Sequence, residues 1–402
     1  MPIYQSTSFV FEDTKDAADL FALQKYGNIY TRISNPTTAA FEERMASLEG
    51  GIGAVATSSG MAAEFLAVTA LAGQGDHIVA SSGLYGGTYA QFDTTLRRFG
   101  VDTTFVDPTK PEAFAAAITD ETVLVYTEII ANPSGAVADV SAIADVAHAA
   151  GLPLFIDNTF ATPYLCRPIE HGVDVVVESA TKFIGGHGTS IGGVIVEAGT
   201  FDWGGGRHPG MTDPVPTYNG LRWWDNFGEY AYCTKVRSEQ LRDVGASISP
   251  FNAFMLLQGL ETLPQRMEAH VANTQAIAEH LNDHPRVGWV NYAGLPDSDS
   301  YDLAQKYLPK GPGAIFTFGV QGGRAAGQKF IENLELFSHL ANVGDARSLV
   351  IHPASTTHQQ LSDEQLAAGG VTPDMVRLSI GLEDLDDLLW DLDQALEASS
   401  HV

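Results

Sequence analysis

Lys182 follows the apolar, β-branched run Val173 to Val177 and precedes Gly185-Gly186. Such a run reads as a strand buried on both faces of a parallel sheet, and in open α/β sheets ligands bind just beyond the carboxyl ends of strands. The chain has only eight lysines. One flanked by apolar strand and glycine is expected to have a lowered pKa that favours Schiff-base chemistry. Ser179 and Thr181 lie two apart in an extended segment, so their hydroxyls point the same way and suit a phosphate. Upstream, the strand Leu152 to Ile156 ends in Asp157, and 164–171 leaves room for a short crossover that brings both polar strand ends to one edge. A pyridine-type cofactor held by a lysine imine needs a carboxylate near its ring nitrogen, because the protonated ring is the better electron sink. Asp157 is placed for that role, or else for capping the turn that follows.

Other segments supply matching parts. Thr57-Ser58-Ser59-Gly60-Met61 joins a strand to a helix, and its small residues let backbone N–H groups approach an anion, which makes Ser59, Gly60 and Met61 a phosphate cradle or an ordinary serine cap. Tyr85, among glycines at the mouth of the sheet, can stack on a flat ring. Asn132 either bonds a ring substituent or starts the Asn-Pro turn. Tyr30 and Arg32 share a face of an extended stretch and could clamp a phosphate. Arg377 sits inside an apolar alternating strand, where an arginine is costly without an anionic partner; a substrate α-carboxylate or an internal acid fits.

The elements that must position these residues alternate regularly. Residues 1–37 read as an irregular arm. Thr38 to Leu48 forms an amphipathic helix, and strands at 53–57, 77–80, 103–106 and 123–127 alternate with helices ending at Leu71, Phe99 and Ile118. The body runs over 38–258, including an aromatic, glycine-rich insertion at about 199–250, and 259–402 forms a smaller carboxyl-terminal α/β domain introduced by a long helix. Gly51-Ile52-Gly53-Ala54-Val55-Ala56 fits a GxGxxA dinucleotide pattern but follows a helix and leads into a strand, the reverse of what a dehydrogenase needs.

The balance of 49 acids against 22 bases, net −27, disfavours nucleic acid and anionic membranes as partners. Cys166 and Cys233 form no CxxC pattern, which points to a reducing compartment. No apolar run approaches the roughly 20 residues that span a bilayer, and a soluble, cytoplasmic protein is expected. His148, His171 and His187 show no ligand-like clustering, so no metal is expected.

Taken together, Tyr30-Thr31-Arg32-Ile33-Ser34-Asn35-Pro36-Thr37, Ser58-Ser59-Gly60-Met61-Ala62, Leu84-Tyr85-Gly86-Gly87-Thr88, Glu128 with Asn132-Pro133, Asp157-Asn158-Thr159 and Ser179-Ala180-Thr181-Lys182 resemble, in order and spacing, the Cys/Met-metabolism family of pyridoxal-phosphate enzymes. The resemblance implies the fold type I, aspartate aminotransferase-like architecture: a mostly parallel central sheet with a smaller carboxyl-terminal α/β domain. It implies pyridoxal 5'-phosphate linked to Lys182, its ring nitrogen on Asp157, Tyr85 stacked on the ring, Asn132 at the ring oxygen, and phosphate held by Ser59, Gly60, Met61, Ser179 and Thr181. Tyr30 and Arg32 would reach the phosphate of a neighbouring subunit, in a homotetramer built from dimers that share sites. Arg377 with Ser348 and Asn158 would bind the substrate carboxylate, and Tyr85 would assist the leaving group.

Within that family the 199–250 insertion resembles the O-acetylhomoserine sulfhydrylase branch, which implies conversion of O-acetyl-L-homoserine and sulfide to L-homocysteine and acetate in methionine biosynthesis. O-succinylhomoserine sulfhydrylase and cystathionine γ-synthase differ only in acyl group and thiol. A methionine γ-lyase is disfavoured by Gly-Gly after Tyr85. A non-catalytic cofactor-binding scaffold is the remaining alternative from another class.

Overall fold

The computed structural model describes residues 1–356 and 372–401. The larger of its two sheets has seven strands: β1 (Gly53–Thr57), β2 (His77–Ser81), β3 (Asp102–Val106), β4 (Thr122–Glu128), β5 (Leu154–Asp157), β6 (Val175–Glu178) and β7 (Gly193–Glu197). Their spatial order is β1-β7-β6-β5-β4-β2-β3. All pairings are parallel except those of β7, which runs against both β1 and β6. The α/β architecture with a mostly parallel sheet is the one the sequence implies. β7 has no counterpart in the sequence reading.

Strand parity decides which face each residue serves. Val125, Ile156, Val176 and Val194 pack on one face with Phe41 and Met45 of α2 (Pro36–Glu49), whereas Leu124, Tyr126, Phe155, Val175 and Val177 pack on the other with Ala63, Leu66 and Ala67 of α3 (Gly60–Thr69). Both faces are covered, so the strands are apolar throughout. Asn35 caps α2 through Thr37 N, and Gly50, at φ 82°, ends it. The arm, expected to be irregular, holds one short helix, α1 (Thr14–Phe21), capped by Asp13.

The helix expected to end at Phe99 begins earlier, as α4 (Gly86–Ala90), widens into a π turn over Gln91–Thr95 and tightens over Leu96–Phe99 before Gly100, at φ 83°, stops it. The crossovers after β3 and β4 carry α5 (Pro111–Ala117) and α6 (Val140–Ala149). The insertion buries Trp203, Trp223 and Tyr232 on the α3 face. Helices Pro250–Glu261 and Leu263–Asn282 then lead to a second sheet of β8 (Val287–Asn291), β9 (Ile315–Val320), β10 (Ser338–His339), β11 (Leu349–Ile351) and β12 (Met375–Ser379), ordered β10-β11-β12-β9-β8. Its apolar face meets Leu388, Leu392 and Leu396 of the helix Leu385–Ala398.

Candidate active site

Beyond β6 the backbone turns at once, with Lys182 N donating to Ser179 O at 3.1 Å and Gly186 N to Lys182 O at 2.7 Å. The Lys182 amine donates to Asn342 Oδ1 at 2.6 Å. Among the described residues no carboxylate pairs with it. Burial, and secondarily the Arg377 guanidinium, lower its pKa from the ordinary lysine value. An amine so placed is shifted toward its unprotonated, nucleophilic form.

Glu128 and Asp157 end adjacent strands in register, on the face that carries α3. Asp157 Oδ1 accepts from Thr159 N at 2.7 Å, and Thr159 Oγ1 accepts from Ser179 N at 2.8 Å, which ties the acid to the lysine turn. Burial raises the Asp157 pKa against the opposing hydrogen bonds from Thr159. Glu128 is buried and accepts from Tyr85 N at 2.5 Å, fixing the start of α4 while the Tyr85 ring remains 49% exposed. Arg377, opposite Thr317 on β9 and Ile351 on β11, crosses from the second sheet and donates to Asn132 Oδ1 at 3.2 Å. No carboxylate pairs with it among the described residues, and burial lowers its pKa, opposed by Tyr85.

The anion end forms where α3 begins. Ser59 Oγ accepts from Ala62 N at 3.1 Å as the helix cap, leaving the first-turn N–H groups of Gly60 and Met61 without intrahelical partners. A Cβ on Gly60 would lie 2.6 Å from that of Ser179, and one on Gly87 would lie 3.1 Å from Met61 Sδ and 2.5 Å from Tyr85 Cε1. These near contacts draw the cap, the serine of the lysine turn and the Tyr85 loop together around one concavity. Thr181 Oγ1 donates to Gly192 O and accepts from Gly192 N, each at 3.1 Å, a bond it must exchange to bind phosphate.

The donor set fits pyridoxal phosphate. An amine without an acid partner among the described residues, an acid at the neighbouring strand end, an exposed aromatic ring and free helix-terminal N–H groups match an aldehyde, a ring nitrogen, a ring face and a phosphate respectively.

Two expected residues, Asn158 and Ser348, make their hydrogen bonds elsewhere, and the two expected to serve a neighbouring subunit lie on the arm. Asn158 is fully buried on the α2 face and donates to Glu49 Oε1 at 2.8 Å and Cys166 O at 3.1 Å; one residue beyond Asp157, it takes the opposite parity. Ser348 is fully buried, donates to Glu383 Oε2 and accepts from Gly381 N, both at 2.8 Å, so its hydroxyl is spent inside the second sheet. Neither stands in a substrate-carboxylate pocket with Arg377. Tyr30 and Arg32 sit on the arm, the guanidinium 4.9 Å from the tyrosine ring centroid, and no hydrogen bond or ion pair links them to the Lys182 group within this chain, among the described residues. In place of Ser348 the structure brings Asn342 to the lysine. The signal was faint: one amide in Ala341-Asn342-Val343-Gly344, beside a glycine (φ 72°) whose Cβ would lie 3.1 Å from Lys182 Cβ.

The chain matches the family described as Cys/Met metabolism PLP-dependent enzyme over residues 1–397. It is 51% identical to an O-acetyl-L-homoserine sulfhydrylase of Leptospira meyeri, covering 99% of this chain and 92% of that protein. It is 52% identical to a homocysteine synthase of Schizosaccharomyces pombe, covering 99% and 94%. The crystal structure of a putative O-acetylhomoserine (thiol)-lyase from Campylobacter jejuni, which contains a pyridoxyl-lysine monophosphate, superposes with a TM-score of 0.96 at 40% identity, covering 99% of this chain and 95% of that one.

Proposed function

The chain belongs to the family of Cys/Met metabolism PLP-dependent enzymes, and on that footing we propose that it exchanges the acetate of O-acetyl-L-homoserine for sulfide, forming L-homocysteine. The observation that carries this is the buried Lys182 amine, bonded to Asn342 Oδ1 and within the field of Arg377, with no acid partner among the described residues. When bound, pyridoxal phosphate supplies an electrophilic carbon and a ring that stores electron density withdrawn from the amino acid.

The chain's own groups then have defined tasks. Arg377 grips the substrate α-carboxylate, for which its fork is suited, and Asn342 stands beside the lysine as a second donor. Lys182 Nζ removes the Cα proton, gives it up to the bound cofactor and, as the amine so freed, removes a Cβ proton, after which the Cγ–O bond breaks and acetate leaves. Tyr85 O–H supplies a proton to the departing oxygen. Sulfide forms the Cγ–S bond, and Lys182 returns protons to Cβ and Cα. Asp157 holds the ring nitrogen, Asn132 the ring oxygen, and Ser59, Gly60, Met61, Ser179 and Thr181 the phosphate.

We further propose that the arm 1–37, the body 38–258 and the carboxyl-terminal unit 259–402 act as separate units, with the arm's Tyr30 and Arg32 completing a partner subunit's phosphate site in a homotetramer. The buried Arg32 Nε, which has no hydrogen-bond partner among the described residues, supports this. No helix of the described residues is long and apolar enough to cross a membrane; a cytoplasmic location is proposed with the sulfhydrylase activity.

The test crosses O-acetyl- and O-succinylhomoserine with sulfide, cysteine and methanethiol, with products identified by mass. Homocysteine from the acetyl ester and sulfide is expected to dominate. Cystathionine as the main product, or preference for the succinyl ester, would overturn the assignment. Tyr85→Phe is expected to lower kcat by about 100-fold with cofactor affinity retained; unchanged kcat would remove the leaving-group role.

A further inference from the structure

Asp157 has a second carboxyl against it. Glu64, one turn into α3, is only 4% exposed. Its Oε1 accepts from Thr88 Oγ1 at 3.1 Å, and its Oε2 is buried with no donor to satisfy it. Asp157 ends β5 on the face that α3 covers, and it is the acid whose side chain acts on Glu64. Among the described residues no arginine, lysine or histidine pairs with either acid. Glu64 is buried and Asp157 only partly exposed, and two such neighbouring carboxyls resist ionising together, which favours a single proton held by the pair.

The surroundings decide which acid keeps it. Asp157 accepts the N–H of Thr159 at 2.7 Å, and Thr159 as a whole favours its anionic form. Glu64 accepts only from Thr88 and faces acidic neighbours, with Tyr126 and Glu128 of β4 beside the pair and Glu178 of β6 close to Asp157. Burial and the Asp157 charge both favour the neutral Glu64 acid. A proton on Glu64 Oε2 turns an unsatisfied acceptor into the donor that Asp157 can use, and the buried polar accounts close.

We propose that Glu64 is a positioning residue for the pyridoxal phosphate site: held as a neutral carboxylic acid, it donates to Asp157 and fixes that carboxylate, as an anion, for the cofactor's ring nitrogen. The inference rests on the reading that Asp157 meets that nitrogen. Glu64 touches neither cofactor nor substrate and acts through Asp157.

The test compares wild type, Glu64→Leu, Glu64→Gln and Asp157→Asn after removal and re-addition of pyridoxal phosphate. Glu64→Leu is expected to bind the cofactor about 10- to 100-fold more weakly and to shift its visible absorption, because a hydrogen bond to a charged group is lost. Glu64→Gln is expected to restore both, within about three-fold in affinity, since the amide can donate to Asp157 and accept from Thr88. The infrared difference between wild type and Glu64→Gln at neutral pH should contain the carbonyl band of a buried carboxylic acid. That readout stands even if Glu64→Leu fails to fold.

Unaltered affinity and absorption in Glu64→Leu, damage in Glu64→Gln equal to that in Glu64→Leu, or absence of the acid band each overturns the proposal. Impairment of Asp157→Asn alone sinks only the Glu64 inference. Unchanged affinity and absorption in Asp157→Asn sinks the ring-nitrogen reading itself, whatever the infrared shows.

Discussion

At the scale of single residues the site is defined by charges that lack their usual partners. Arg377 emerges from a strand with both neighbours apolar and, among the described residues, hydrogen-bonds only the Asn132 amide oxygen, which suits its guanidinium to an external carboxylate. Lysine offers a point charge where arginine offers a planar fork. Arg377→Lys should therefore raise KM for O-acetylhomoserine by about 10- to 100-fold while kcat changes much less. Steady-state kinetics over a range of ester concentrations would show it. An unchanged KM would mean that the carboxylate is bound elsewhere.

At the scale of elements, β7 does two jobs. It closes the lysine turn through Gly192 and Thr181, and its last residue, Glu197, anchors the insertion by accepting Trp203 Nε1 at 3.0 Å and Cys233 N at 2.7 Å. Burial pushes the Glu197 carboxyl up from 4.5 to about 7 against those two bonds. A folded-state pKa above the unfolded one means that the native state binds the extra proton, so this stability is present at low pH and is lost as pH rises from 4.5 toward 7. The span corresponds to roughly 3 kcal/mol. Denaturant unfolding of wild type and Glu197→Gln at pH 5 and pH 8 should give a smaller decline in the variant. Equal declines would show that Glu197 does not titrate in this window.

At the scale of the whole molecule, each site is expected to be complete only when another subunit's arm reaches it. Lys182→Ala and Arg32→Ala are each expected to lose most activity, because each breaks every site in its own homo-oligomer. Refolded together, half of the dimers would pair one variant with the other and carry one intact site of two, so about a quarter of wild-type activity should return. Recovery near zero would place the Arg32 role within its own chain. The net charge of −27 acts at this scale too, keeping copies soluble without bearing on the chemistry.

What the sequence determined was the set of strand ends and the chemistry expected there: Lys182, Asp157, Tyr85, Asn132 and the Ser59 turn were legible because each follows a periodic apolar run that breaks at the sheet edge, and Arg377 because a charge inside an apolar strand needs a partner. Parity at that edge was in principle legible as well, since Asn158 follows Asp157 and must face the other way. Only the tertiary structure decided which polar groups from distant segments share a space. Ser348 and Asn342 lie close in sequence, yet one is spent on Glu383 and the other meets the lysine. Glu64 reads in the sequence as an ordinary helical acid, and the proposed partnership with Asp157 follows only from the packing of α3 on the sheet, which buries Glu64. Periodicity reports which face is apolar; it carries no information about which two buried acids end up sharing a proton.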